Sequence, residues 1–60
     1  MKIIAGDEFD FRADQFQSMV TRGHIVEITL LTGHELTIDC SSLTKAEELR
    51  VSIRSQLEAV

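Results

Sequence analysis

His24 and Cys40 carry the most reactive side chains in the chain. An imidazole beside a thiol can act as a thiolate–imidazolium nucleophile or supply two ligands to a metal ion. Either chemistry needs more residues. Zinc takes three or four ligands, and His34 lies at the far end of the expected hairpin, roughly 20 Å from His24 at about 3.4 Å per strand residue. Asp39 is expected on the opposite face from Cys40. No metal site and no cysteine catalysis are therefore expected, and Cys40 reads as a structural thiol beside a histidine at a strand end.

Asp7, Glu8, Asp10 and Asp14 form an acidic cluster that could hold a cation, meet a basic partner or imitate nucleic-acid phosphates. It lacks the glycine and terminal glutamate of a calcium loop. A solvated turn and helix start is the plain reading, and recognition of a basic partner through Asp7, Glu8 and Asp10 is its functional alternative. Arg50 and Arg54 stand one helical turn apart, with Lys45 on the other flank, and could grip an anion. The competing reading pairs Glu47 with Arg50 and Arg54 with Glu58. Gly6, Gly23 and Gly33 are isolated, so no phosphate-cradling loop is present. There is no serine elbow or His-Glu-x-x-His helix, and a chain of 60 residues is too small to enclose a deep pocket alone. The expectation is that the protein is not an enzyme and carries no cofactor.

The elements that would position these side chains are legible from periodicity. Residues 24–40 form two alternating runs joined across Gly33, a β-hairpin. A one-residue slip would turn every side chain over, so the register follows from matching apolar with apolar. With Leu31-Thr32-Gly33 as a three-residue loop, Leu30 faces His34, Ile28 faces Leu36, Val26 faces Ile38 and His24 faces Cys40. Thr29 with Glu35 and Glu27 with Thr37 then share the wet face. Lys2–Ala5 and Glu8–Arg12, joined by a Gly6-Asp7 turn, form a smaller hairpin in which Phe9 and Phe11 share the core face. Between the hairpins, Ala13, Phe16, Met19 and Val20 fit a helical stripe and Gly23 a helix stop, so residues 13–22 are read as a short helix, with a fifth strand as the alternative. Thr44-Lys45-Ala46-Glu47 fits a capping box. The C-terminal helix should begin there, its stripe of Ala46, Leu49, Ile53, Leu57 and Val60 covering one sheet face, with Val51 outside it. The expected fold is α+β, one small domain over residues 1–60.

Composition narrows the function. A domain of this size buries only about 60% of the surface its unfolded chain exposes, and one cysteine permits no internal disulfide. A homo-oligomer or a larger protein partner is the expected support. Ten acidic against six basic residues, net charge −4, argue against binding nucleic acid through phosphate contacts. The lone thiol, with no signal peptide and no long apolar run, points to the cytoplasm rather than a membrane. The expected function is a non-enzymatic interaction module, a small regulator, inhibitor or assembly subunit. Its contacts would run through Ile25 and Leu31 on the hairpin and Val51 on the helix. One rival is an oligomeric module sequestering a small anionic ligand at its subunit interfaces through Arg50, Arg54, Arg12 or Arg22. Another is a nucleic-acid-associated regulator, or an inhibitor of a nucleic-acid-binding protein encoded by a mobile element.

Overall fold

The structure is a computed structural model that describes residues 1–6 and 9–59. It is an α+β fold with two small antiparallel sheets and a C-terminal helix packed against them. Strands β1 (Lys2–Ala5) and β2 (Phe9–Arg12) make one sheet. Strands β3 (Phe16–Arg22), β4 (Ile25–Leu30) and β5 (Glu35–Asp39) make the other, in that order, and helix α1 (Leu43–Glu58) packs on β1, β3 and β4.

The hairpin of β4 and β5 has the register that apolar matching demands, with Val26 opposite Ile38 and Ile28 opposite Leu36. Leu30 N–H donates to the His34 carbonyl at 2.9 Å, and Cys40 N–H donates to the His24 carbonyl at 2.9 Å. Gly33 closes the loop at φ 93°, left-handed backbone that an L side chain resists. In the first hairpin Ile3 faces Phe11 and Ala5 faces Phe9. The Gly6-Asp7 turn falls partly outside the described residues, as Asp7 and Glu8 do.

Residues 13–22 are mainly strand. One 3-10 turn spans Ala13–Gln15, and β3 then runs to Arg22, pairing with β4 across a bulge between Phe16 and Ser18. The helical stripe is overridden by pairing. Met19 lies opposite Ile28 and Thr21 opposite Val26, whereas a helix of ten residues or so would be marginal without such contacts. Gly23 is left-handed at φ 59°, which suits a helix stop and the first position of a two-residue hairpin turn alike. The turn is the role it takes.

Helix α1 begins two residues before the expected start. Ser42 is its cap, the hydroxyl accepting from Lys45 N–H at 3.2 Å. Thr44 lies inside the first turn, and Glu47 reaches Arg50 instead of back to a cap. The stripe works as expected within the described residues: Ala46 and Ile53 are fully buried, with Leu49 and Leu57 packed beside them. Val60 lies outside the described residues. Ile3, Ala5, Phe11, Val26, Ile28, Leu30 and Ile38 complete a core to which every described strand but β3 gives a buried residue. Strand β3 adds half-buried Phe16 and Met19, and the Phe16 ring stacks on Phe11 at 6.0 Å between centroids.

Candidate functional site

At one end of the larger sheet, His24 turns toward Asp39, not Cys40. Its Nδ1 lies 2.8 Å from Asp39 Oδ1, and the same oxygen accepts from Ser41 N–H at 3.0 Å. An ionised carboxylate only accepts, so Nδ1 carries the proton in this pair. Asp39 keeps the outer face, opposite to that of Ile38, and it is the expected side-chain pairing of His24 with Cys40 that fails, for a geometric reason. His24 sits in the Gly23-His24 turn, where strand alternation no longer dictates side-chain direction. The Ser41 amide, and then His24, hold the Asp39 carboxyl below its ordinary range. Burial, and then the Asp39 charge, push the Cys40 thiol up, while Sγ points at the Ile38 carbonyl 3.8 Å away. That is the reverse of nucleophile activation. A cavity of about 290 Å³ beside it is lined by Gly6, Ile38, Asp39, Cys40, Lys45 and Leu49. Among the described residues no group of three or more His, Cys, Asp or Glu could hold a metal.

The charged candidates are dispersed. Arg50 is clasped by Glu47, Nε to Oε2 at 3.1 Å and a terminal nitrogen to Oε1 at 2.8 Å, which lowers the Glu47 carboxyl and raises the guanidinium. Arg54 makes no ion pair among the described residues, so its expected pairing with Glu58 does not form there. Asp10 lies 3.9 Å from Lys2, and Asp14 accepts from Arg12 at 3.0 Å. Asp7 and Glu8 lie outside the described residues.

The apolar candidates occupy three separate places. Ile25 is half-buried on the outer sheet face opposite Arg22 and Asp39, and Leu31 is exposed in the hairpin loop. Val51, 56% exposed, lines an open groove on the far side of α1 with Thr44, Glu47, Glu48, Ser52 and Ser55. No helix is long and apolar enough to cross a membrane.

A more telling feature is how each outer strand ends its ladder. Each strand residue directs its N–H and C=O to one side, alternating along the chain. Met1 bonds Ala13, so Ile3 and Ala5 bond inward to β2 and Ile4 points outward. There it meets the Gln56 side chain: Oε1 accepts from Ile4 N–H at 2.8 Å and Nε2 donates to Ile4 C=O at 2.9 Å. A primary amide thus stands in for a neighbouring strand. On β4, the His24–Cys40 and Leu30–His34 bonds assign Val26 and Ile28 to β5 and therefore Ile25, Glu27 and Thr29 to β3. Their partners Arg22, Val20 and Ser18 are consumed inward, and Met19 and Thr21 direct their backbone groups to the free edge of β3. No described residue bonds them there.

Neither the Gln56 clasp nor the open β3 edge was foreseen from the sequence. A polar residue flanking the apolar stripe between Ile53 and Leu57 is the only trace of the clasp. No protein-family model, curated protein or solved structure matches this chain. The fold and site together define a small α+β fold in which, among the described residues, the outward groups of β3 carry no hydrogen-bond partner.

Proposed function

We propose that this chain is a non-enzymatic protein–protein interaction module, a small regulator, inhibitor or assembly subunit that works as a homo-oligomer. The observation that carries the reading is the open edge of β3, where Met19 and Thr21 offer unpaired backbone groups beside Val20, 48% exposed. Exposed strand edges bind other strands unless they are guarded. Support also comes from the small core and from Leu31, Leu43 and Val51, each more than half exposed. The reading places the module in the cytoplasm, where the single thiol of Cys40 stays reduced.

Native mass spectrometry of the chain purified gently at low salt tests it. A clean oligomer is the expected result. An oligomer carrying a few hundred daltons of extra mass per site would replace the reading with sequestration of a small ligand between subunits, and a folded monomer would overturn the homo-oligomer. Retention of nucleic acid, lost steeply with salt, would replace it with nucleic-acid association.

A further inference from the structure

The described strand edges are not equally guarded. Gln56 occupies the outward groups of Ile4 on β1. Over the described residues of β2 the outward groups belong to Asp10 and Arg12, both charged. On β5 the outward groups belong to Glu35, Thr37 and Asp39. If β5 paired with its own copy about Thr37, each Glu35 would face an Asp39, and like charges directly opposite are repulsive. Strand β3 has no comparable guard beyond its bulge at Gln17, which leaves Ser18–Arg22 as regular edge. Its one charged side chain, Arg22, is 3.4 Å from Glu27.

We propose that the β3 edge pairs antiparallel with β3 of a second copy of this chain, about a two-fold axis at Val20. This rests on the homo-oligomer reading and names its surface, symmetry and register. The axis at Val20 sets Met19 opposite the partner's Thr21, so the outward backbone groups of both residues meet as hydrogen-bonded pairs. Val20 then meets the partner's Val20 as a non-hydrogen-bonded pair, the closer of the two kinds, and the exposed isopropyl groups cover each other. Arg22 falls opposite Ser18 of the second copy, so no like charges are opposed. An axis at Met19 would draw in the bulged Gln17, and one at Thr21 would set Val20 against Arg22. Only the Val20 register pairs the free groups of Met19 with those of Thr21 and sets an exposed apolar pair at the axis. Because the same patch serves both copies, the contact closes at a dimer.

Cysteine cross-linking in a Cys40→Ala background tests the register. Val20→Cys places Cα atoms about 4.5 Å apart across the axis, within disulfide range. Ser18→Cys places its two copies roughly 13 Å apart along the strands. The expected result is a wild-type dimer by native mass spectrometry, with Val20→Cys linking under diamide at least about tenfold faster than Ser18→Cys. Val20→Lys, at an exposed position that the monomer does not need, should leave the circular dichroism unchanged and give a monomer. An oligomer in which Val20→Cys links no faster than Ser18→Cys, or that survives Val20→Lys, overturns the β3 contact and leaves the homo-oligomer reading standing. A wild-type chain that stays monomeric up to about 1 mM overturns both.

Discussion

Strands β1 and β3 are both outer strands, and each turns backbone N–H and C=O groups away from its sheet. On β1 those of Ile4 are taken up by the amide of Gln56, carried over from the helix. On β3 those of Met19 and Thr21 meet no described residue. The helix explains the difference. It packs on β1, β3 and β4, yet the face that reaches a strand edge presents Gln56 to β1 only. One edge is closed within the chain, and the other, in the reading proposed above, is left for a second copy.

The most damaging way to break this contrast is to loosen the helix. Ile53 is fully buried in the turn of α1 before Gln56. Ile53→Ala should cost about 3 kcal/mol, the transfer of the lost methylenes plus a residual cavity. That is a large share of the stability of so short a chain. Urea denaturation should show a collapsed midpoint, and the Ile4 amide should lose its protection in hydrogen exchange.

A narrower cut removes the clasp and keeps the helix. Gln56→Leu preserves bulk but takes away both bonds to Ile4, for a loss of about 1 kcal/mol, at the low end for paired hydrogen bonds because Ile4 is 53% exposed and water can replace them. Exchange at Ile4 should rise selectively. With its guard gone, β1 should also begin to pair with other chains, read as mass that grows with concentration. Gln56→Glu keeps the acceptor and loses the donor, so it should behave like Gln56→Leu at neutral pH. Ser42→Ala should also cost about 1 kcal/mol, a typical loss for an N-cap hydroxyl, but without altering either edge, which separates loss of the clasp from general weakening of α1.

How much of this was legible in the sequence follows from the range of the interactions involved. The β4–β5 register depends on alternation over neighbouring residues and a glycine, and it could be read directly. The stripe on α1 is equally local. Residues 13–22 could not be resolved, because Phe16 and Met19 fit both periods and Gly23 suits both endings. The choice is made by Val26 and Ile28, which lie elsewhere in the chain. The helix start was misplaced because Ser42 and Thr44 both precede acceptable helix, and backbone geometry rather than residue type selects Ser42. Of the candidate interaction residues, Ile25, Leu31 and Val51 were found as apolar residues breaking a polar pattern, and they lie apart. Val20 and the β3 edge were hidden because an edge exists only once the strand order is known.

The mildest perturbation is acid, and it acts on the guard of β5. The Ser41 amide and His24 hold the Asp39 carboxyl below its ordinary range, so the folded chain binds this proton less readily than the unfolded chain. The stability this contributes is complete above the usual carboxylate range and is lost as pH falls through and below it. Arg50 does the same for Glu47. Asp39 is well exposed, so solvent keeps the effect smaller than that of the Ser42 cap. Urea midpoints should place Asp39→Asn slightly below wild type at pH 7, with the gap narrowing on acidification; a gap that widened instead would reverse the sign. Protonation also removes the Glu35–Asp39 repulsion that keeps β5 from pairing with itself. Acid should therefore drive assembly beyond the neutral-pH species through a second edge, and Asp39→Asn should show the same tendency at higher pH. If Val20→Lys remains monomeric in acid, charge is not what guards β5, and the contrast between a guarded β5 and an open β3 must rest on shape instead.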